Sequence, residues 1–402
     1  MTVRHTRRAF KLATFSLAAA TLAFGCEWNS APTRTPSPPP SKPATPQRPP
    51  AKPEPAAPAG DAFVEIAAGN QHSCARRRSG AVTCWGRNTY GQLGNDARDD
   101  SKAMVSVRGL SDAVEIEAGG DFSCARRKSG SVVCWGNNQD GQLGDGRGAK
   151  VGVWSTRPTA VLGLSDAMEI GVGESFACAL RRNGAVVCWG EASNGQVGSG
   201  DARAFAKPRP VSELSNVTSL AVGGRHVCAA VGTGQVMCWG RNTEGQLGDG
   251  RTASRANARA VVGIGDAKSL VSGGRHTCAR RGGDKLSCWG DGRQGQLGLG
   301  SGTEPQRSPR ALAGLSGMKR FVAGDQHSCA LMSDSDLRCW GDNEEGQIDS
   351  SKRSRPSPFK VAGVRGVVEV AAGHRHTCVL SRGKVYCWGL ADRSALGPNP
   401  MG

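Results

Sequence analysis

Seven pairs of cysteines at a nearly constant period constrain the fold of this chain more than any other feature. The chain contains 15 cysteines, and successive first members of the pairs lie 50, 54, 50, 50, 51 and 49 residues apart. A Trp-Gly dipeptide follows every second cysteine. A repeat of this length indicates a solenoid, an array or a propeller. The pairs are Cys74/Cys84, Cys124/Cys134, Cys178/Cys188, Cys228/Cys238, Cys278/Cys288, Cys329/Cys339 and Cys378/Cys387.

The spacing within each pair predicts a β-hairpin. Cys74 and Cys84 are centred on Ser79, so the hairpin has a three-residue loop at 78–80. Such loops commonly combine a type I turn with a left-handed residue, which is the position of Gly80 and of the equivalent glycines in repeats two to four. In the last repeat, which is one residue shorter, Arg382-Gly383 becomes a two-residue turn.

Counting outward from the turn places the two cysteines in a non-hydrogen-bonded pair with Cα atoms about 4.5 Å apart. That separation is within the range of a disulfide, so we predict one bridge between neighbouring strands in every repeat. Reduced structural pairs are the alternative, and the redox compartment decides between them. A zinc site is discounted, because nine residues intervene and no second pair lies nearby in the sequence.

The remainder of each repeat is typical of an all-β fold. The chain has 57 glycines and short valine-rich runs, without a long helical stripe after residue 25. Each hairpin is preceded by a strand such as 64–68 or 168–172 and followed by a proline-containing strand such as 158–162. Four short strands per repeat, seven times, are what a β-propeller requires. Strand alternation places each tryptophan on the face opposite the cysteines, and we predict that it packs between blades.

The motifs His72-x-Cys74-Ala, Cys84-Trp85-Gly86-x-Asn88 and Gly91-Gln-Leu-Gly94 resemble the repeat of the regulator-of-chromosome-condensation family. The resemblance covers about 61–397 and implies a seven-bladed β-propeller of about 50-residue repeats, in a domain that we assign to 61–402. Copies decay at the end, as in Gly346-Gln-Ile-Asp349. Repeat seven lacks a final strand, and we expect residues near 52–60 to supply it.

The N-terminal residues predict export. Four basic residues within 4–11 precede an apolar stretch, Leu12 to Gly25, which is a signal-peptide pattern and is too short to span a bilayer comfortably. The stretch resembles a bacterial lipoprotein signal, so we assign 1–25 as the signal peptide and Cys26, the cysteine outside the pairs, as the lipidated residue. Ordinary secretion with a free Cys26 is the alternative, and Arg7-Arg8 resembles a twin-arginine export signal.

The proline-rich segment that follows predicts a tether. Residues 26–60 contain many prolines and alanines, which favour extended polyproline geometry rather than a core. We therefore expect a disordered, lipid-anchored linker that holds the propeller off a membrane. The predicted location is the bacterial cell envelope, periplasmic or surface-exposed, with secretion as the alternative.

No constellation of residues indicates catalysis. Histidines two residues before the first cysteine of five repeats are replaced by Phe122 and Phe176 in the other two, so we interpret this position as structural rather than as a metal or proton site. Motifs for metalloproteases, serine hydrolases, phosphate loops and zinc clusters are missing from the sequence. We predict a non-enzyme without cofactor or metal.

The charge indicates the class of partner. The net charge is +17, or +13 without 1–25, which carry four basic and no acidic residues. Basic residues crowd the hairpin tips, such as 76–78 and 126–128, and the connections around 251–259 and 352–355. A basic rim favours a protein, an anionic polysaccharide or an anionic lipid. Nucleic acid is disfavoured, because no aromatic residues interleave the basic runs.

Three functions compete. The first is an exported, lipid-anchored, monomeric propeller that binds a macromolecule through the rim loops 95–107, 145–160 and 199–211. The second, implied by the family resemblance alone, is guanine-nucleotide exchange on a small GTPase, which export disfavours. The third is a carbohydrate-active enzyme, which the missing acid pair disfavours.

Overall fold

The structure, a computed structural model, describes residues 60–148, 153–300 and 303–390. The predicted signal peptide, Cys26, the tether up to 59 and all but the last residue of the closing strand expected near 52–60 lie outside these residues. Among the described helices, none is long and apolar enough to cross a membrane.

The described residues form seven antiparallel sheets, the blades, each of which follows the chain in order from its first strand to its last. Blades one to four comprise β1 (Phe63–Ala68), β2 (His72–Arg77), β3 (Val82–Gly86), β4 (Ser101–Ser106); β5 (Ala113–Ala118), β6 (Phe122–Arg127), β7 (Val132–Asn137), β8 (Trp154–Ala160); β9 (Ala167–Val172), β10 (Phe176–Arg181), β11 (Val186–Gly190), β12 (Phe205–Pro210); β13 (Val217–Val222), β14 (His226–Val231), β15 (Gln235–Gly240), β16 (Arg255–Ala260).

Blades five to seven comprise β17 (Ala267–Ser272), β18 (His276–Arg281), β19 (Leu286–Gly290), β20 (Gln306–Leu312); β21 (Met318–Ala323), β22 (His327–Met332), β23 (Leu337–Gly341), β24 (Arg355–Lys360); β25 (Val367–Ala372), β26 (His376–Ser381), β27 (Lys384–Gly389). A short 3₁₀ turn, Gly282–Asp284, joins β18 to β19. The seven-bladed β-propeller expected from the repeats is therefore confirmed.

The hairpins of the first and last blades have the predicted register and turns. Cys74 lies opposite Cys84, and Gly80 donates its N–H to the Arg77 carbonyl at a φ of +99°. In the last blade Arg382 and Gly383 have φ values of +50° and +77°, as a two-residue turn of the primed type requires.

Blades five and six keep the register without a glycine at the left-handed third position of the turn. The left-handed position is held by Asp284 in blade five and by Ser335 in blade six. The blade-six hairpin nevertheless places Cys329 opposite Cys339, with Ser335 donating its N–H to the Met332 carbonyl at 3.0 Å. The cysteine spacing is therefore a better guide to the hairpin than the glycine is.

The outer strands begin earlier than the sequence suggested. The strand expected at 158–162 occupies Trp154–Ala160 instead. Outer strands also take up the second half of the predicted rim loops, because β4 starts at Ser101 and β12 at Phe205. Residues of these outer strands are mostly exposed or half-buried on both faces, so they show little of the hydrophobic alternation that marks a strand in sequence.

The hydrophobic core consists of seven clusters, each lying between two neighbouring blades. The cluster between blades one and two contains the Cys74–Cys84 pair and Trp135 of the next blade. The cluster between blades two and three contains the Cys124–Cys134 pair and Trp189. Each disulfide therefore faces the following blade, and each tryptophan faces the preceding one. The predicted packing of tryptophans between blades is confirmed.

Blade seven closes the ring against blade one. Around the centre, a backbone N–H of each blade donates to a glycine carbonyl of the next, beginning with Asn70 to Gly119 at 3.1 Å and ending with His374 to Gly69 at 3.1 Å. Trp85 lies in one cluster with Cys378 and Cys387. Among the described residues the seventh sheet has three strands, so the source of a fourth strand stays a prediction.

Candidate functional site

All seven predicted cysteine pairs are bonded within their own blades. Their Cα atoms lie 4.0–4.2 Å apart, which is the close approach of a non-hydrogen-bonded strand pair. Each bridge is almost fully buried. Seven buried bridges indicate an oxidising environment such as the cell exterior. In blade order the bridges are Cys74–Cys84, Cys124–Cys134, Cys178–Cys188, Cys228–Cys238, Cys278–Cys288, Cys329–Cys339 and Cys378–Cys387.

The predicted Cα separation of about 4.5 Å needs a small correction. In blade six, for example, the Cα atoms of Cys329 and Cys339 lie 4.1 Å apart, and the other six bridges are equally close. The bridge itself draws the two strands together at a position where no backbone hydrogen bonds set their spacing. The pairing of Cys329 with Cys339 is as predicted, and only the distance differs.

The histidines two residues before the first cysteines connect neighbouring blades. His72 Nε2 lies 2.8 Å from Ser123 Oγ, and Ser123 Oγ in turn donates to the carbonyl of Gln92 at 3.2 Å. The same carbonyl accepts the indole N–H of Trp135 at 2.8 Å. Since the serine hydroxyl donates to Gln92, the imidazole Nε2–H donates to the serine. Blade two is thus fastened to blade one by three linked hydrogen bonds.

The histidine–hydroxyl contact of this junction recurs at every blade boundary that has the histidine. The corresponding pairs have Nε2–Oγ distances of 2.7–2.9 Å and are His226–Thr277, His276–Ser328, His327–Thr377 and His376–Ser73. Where phenylalanine replaces histidine, the residue opposite has no hydroxyl: Phe122 packs in one cluster with Ala177, and Phe176 with Val227. The interpretation of this position as structural therefore holds in the described blades.

Burial keeps these histidines neutral. Desolvation lowers the pKa of His72, His226 and His327 to about 3 and that of His276 and His376 to about 4. Four of the rings, those of His72, His226, His276 and His327, have no partner for Nδ1 among the described residues. Each of these four is held by one hydrogen bond and by close packing against a glycine, which explains why a phenylalanine ring fits the same position.

Residues of the seven first strands line a central cavity, and several of these strands carry glutamates. Glu65, Glu115 and Glu169 each accept a backbone N–H from the first strand of the next blade, at 3.1–3.3 Å. Burial raises the pKa of Glu169 and of Glu369 to about 7, and it raises that of Glu117 well above its ordinary value. Among the described residues, no group of three His, Cys, Asp or Glu side chains is arranged to hold a metal ion.

The connections between third and fourth strands are preorganised by buried asparagines. Asn88 accepts the N–H of Leu93 and donates to the carbonyls of Ala97 and Asp99. Asn242 makes the equivalent contacts in blade four. These connections and those between first and second strands lie at one end of the propeller, which we call the loop face. The other end carries the hairpin turns and is called the hairpin face.

Most of the charge predicted for the hairpin tips is neutralised locally. Arg76 pairs with Glu65 at 2.5 Å, and Arg126 pairs with Glu115 at 2.6 Å. Arg127, Arg181 and Arg281 each pair with an aspartate at 2.6–2.9 Å. Exposed tip residues without an ion pair among the described residues remain in the first three blades, namely Arg78, Lys128 and Arg182.

The unneutralised charge lies instead on the fourth strands. The described residues include 41 basic and 31 acidic side chains, a difference of +10. The six outer strands β4, β8, β12, β16, β20 and β24 contain ten basic residues and no acid. The rest of the described propeller is therefore neutral overall. We call these ten residues the outer belt. Arg255, Arg259 and Arg355, which were expected in connections, belong to strands instead.

Comparison with known families identifies the repeats. The family profile described as RCC1-like domain matches residues 166–401, and two profiles described as regulator of chromosome condensation (RCC1) repeat match 63–92 with 113–142, and 79–126 with 129–180. Together they span the described blades.

Known proteins share the architecture at low identity. Human WBSCR16 superposes with a TM-score of 0.73 at 21% identity, covering 80% of this chain and 87% of that structure. Prp20p of Saccharomyces cerevisiae, from a study of its binding to Gsp1p and histones, superposes with a TM-score of 0.70 at 22% identity, covering 85% of each chain. The human E3 ubiquitin-protein ligase HERC2 is 27% identical over 153 residues, which are 38% of this chain and 3% of HERC2. The chain thus spans a small fraction of that relative.

Proposed function

The chain belongs to the RCC1-like domain family, and we propose that it is an exported, lipid-anchored propeller that binds a macromolecular partner and has no catalytic activity of its own. The single observation that carries the proposal is the disulfide in every blade. A chain folded around seven such bridges requires an oxidising compartment. The basic, lipoprotein-like N-terminus supplies a route to that compartment and an anchor at Cys26.

The rigid ring supports a binding role. The blades are fastened by backbone, histidine and tryptophan hydrogen bonds, and the loops are held by buried asparagines. Surfaces fixed in this way lose little conformational entropy when a partner binds. The partner classes that fit the net positive charge are an acidic protein, an anionic polysaccharide and an anionic lipid.

Guanine-nucleotide exchange is the alternative that the family suggests. A solved relative, the yeast Prp20p, was characterised for binding to Gsp1p. An exchange factor for a cytosolic GTPase would have to fold in a reducing compartment, where seven buried disulfides do not form readily. Guanine-nucleotide exchange is therefore the second candidate function.

Fractionation of bacterial cells that produce the full chain tests the proposed location. The proposal expects the chain in the membrane fraction, labelled by a supplied fatty acid, and expects Cys26→Ser to abolish the label while the nearby control Ser30→Ala retains it. Full-length, reduced protein in the cytosol would overturn the proposal and favour exchange. Capture of envelope components by the wild-type chain then identifies the partner.

A further inference from the structure

Three arginines of the outer belt occupy the same structural position in three consecutive blades. Arg209 lies opposite Cys188, Arg259 opposite Cys238, and Arg310 opposite Cys288. The residues opposite the equivalent cysteines of blades one, two and six are uncharged: Val105, Thr159 and Phe359. We call Arg209, Arg259 and Arg310 the arginine row.

The arginine row is exposed and lacks acidic partners. Four members of the outer belt pair with carboxylates, namely Arg157, Arg255, Arg355 and Lys360. No carboxylate among the described residues lies within 4 Å of the three row arginines. Lys207 on β12 and Arg307 on β20 are also exposed. Five cations therefore line an arc over blades three to five.

The outer strands also carry prolines, such as Pro208 and Pro309. Prolines and basic residues both protect an edge strand against pairing with other strands. That protection argues against a partner that adds a β-strand. It does not account for arginine at one register position in three successive blades and for the uncharged residues in the other three.

The curvature of the arc selects among anionic partners. Neighbouring blades of the ring are rotated by one-seventh of a turn, so the row lies on a convex surface. A flat bilayer cannot reach all three arginines together, whereas a flexible chain can follow the arc. Guanidinium groups bind carboxylate and sulfate through paired hydrogen bonds. A polymer with repeated anionic groups matches a row of repeated arginines.

We propose that the arginine row binds an acidic polysaccharide bearing carboxylate or sulfate groups. The inference rests on the proposed function, because it names the partner class of an exported binding protein. Nucleic acid presents a similar charge, but the disulfides indicate an oxidising compartment rather than the cell interior. The polysaccharide follows the arc along β12, β16 and β20, which also carry Lys207 and Arg307.

Titration of the full chain with polygalacturonate and with dextran sulfate tests the proposal, with neutral dextran as the control polymer. The row variant Arg209→Gln/Arg259→Gln/Arg310→Gln is expected to lose at least about tenfold in affinity for the polymer that binds. The tip variant Arg78→Gln/Lys128→Gln/Arg182→Gln removes the same charge from three consecutive blades at the hairpin face. It is expected to lose less than about threefold.

Equal losses in the two triple variants would overturn the proposal, because they would show a response to net charge alone. Failure of both acidic polymers to bind would overturn it too, as would tighter binding of duplex DNA or of phosphatidylglycerol vesicles. If the row variant aggregates, Arg209→Lys/Arg259→Lys/Arg310→Lys keeps the charge on the edges. It is expected to bind more weakly than wild type, because lysine cannot form the paired hydrogen bonds; unchanged affinity would contradict the proposal.

The experiments distinguish a wrong assignment of the arginine row from a wrong proposed function. An exported, fatty-acid-labelled chain that captures only an envelope protein would refute the arginine row and leave the proposed function intact. A cytosolic, reduced chain would refute the proposed function whatever the titration shows.

Discussion

His376 Nε2 of the last blade lies 2.8 Å from Ser73 Oγ of the first. These residues are 303 positions apart in the chain, and their hydrogen bond repeats at the ring closure the contact that joins four other pairs of blades. Histidine is matched with a hydroxyl on the next blade at all five of these junctions, and phenylalanine with alanine or valine at the remaining two. The rule predicts which substitutions compensate each other.

Thr277→Val is expected to destabilise the protein by about 1–3 kcal/mol, because it leaves the buried Nε2–H of His226 without an acceptor. His226→Phe is expected to cost less, since Thr277 retains the Gln246 carbonyl. The double variant reproduces the Phe176–Val227 junction of the preceding blades and should recover at least about 1 kcal/mol. Urea unfolding of the four proteins measures this coupling, and strictly additive effects would contradict the rule.

Acid is expected to destabilise the ring through its buried histidines. Their folded pKa values of about 3 to 4 lie below the ordinary value of 6.5. The unfolded chain therefore takes up protons first, and this contribution to stability is lost as the pH falls from about 6.5 toward 3.

The His226→Phe/Thr277→Val variant isolates one histidine. Its free energy of unfolding should fall less steeply with acid than that of the wild type, by up to about 1.4 kcal/mol per pH unit below pH 6. Unfolding curves at pH 6, 5 and 4 give the two slopes. Identical slopes would show that His226 is protonated in the folded protein.

Glu169→Gln is expected to stabilise the protein at alkaline pH. The folded pKa of Glu169 is raised by burial to about 7 from 4.5, so the protonated form stabilises the fold below pH 4.5 and its contribution is lost as the pH rises through 7. Glutamine stays neutral and can still accept the N–H of Leu220. A gain on the order of 1–3 kcal/mol at pH 8, and none near pH 4, is predicted.

Thermal unfolding across this pH range measures the effect of Glu169→Gln. Glu344→Gln, at an exposed position of the loop face, is the matched control. It should leave the stability unchanged both at pH 8 and near pH 4. A destabilised Glu169→Gln protein at pH 8 would mean that the surroundings stabilise the ionised carboxylate in the folded ring, which contradicts a raised pKa.

Gly69→Ala is expected to destabilise the junction of blades one and two severely. A Cβ at this position would lie 2.6 Å from Cε1 of His72 and would overlap the carbonyl of Gly119, so blades one and two would have to separate. Gly265→Ala places its Cβ in open space and should change stability by less than about 0.5 kcal/mol. Differential scanning calorimetry of the two variants gives the comparison; equal melting temperatures would contradict the packing.

The sequence predicted the parts of the fold that depend on contacts within one repeat. Hairpin register follows from the distance between Cys74 and Cys84, and the side of the strand on which Trp85 lies follows from alternation. The N-terminal limits of the outer strands were harder to place, because an edge strand such as Trp154–Ala160 shows little hydrophobic alternation.

Contacts between repeats could not be predicted in the same way. The pairing of His72 with Ser123 depends on how two blades pack, which no spacing within a repeat reveals. A signal was nevertheless present in the sequence. Each histidine or phenylalanine two residues before a first cysteine faces the residue that follows the same position in the next repeat. That residue has a hydroxyl where the first is histidine and is alanine or valine where it is phenylalanine. The arginine row became visible only when the register placed Arg209, Arg259 and Arg310 opposite equivalent cysteines.

The most direct test of the account is a peptide map of the exported, non-reduced protein. Trypsin cuts within 76–78, between the cysteines of the first hairpin, so the bridge joins two separate peptides. The account predicts that the peptide with Cys74 is linked to the peptide with Cys84, that Cys329 is linked to Cys339 in the same way, and that every other bridge also stays within its blade. Free thiols, or a link from Cys74 to another blade, would contradict both the architecture and the oxidising location.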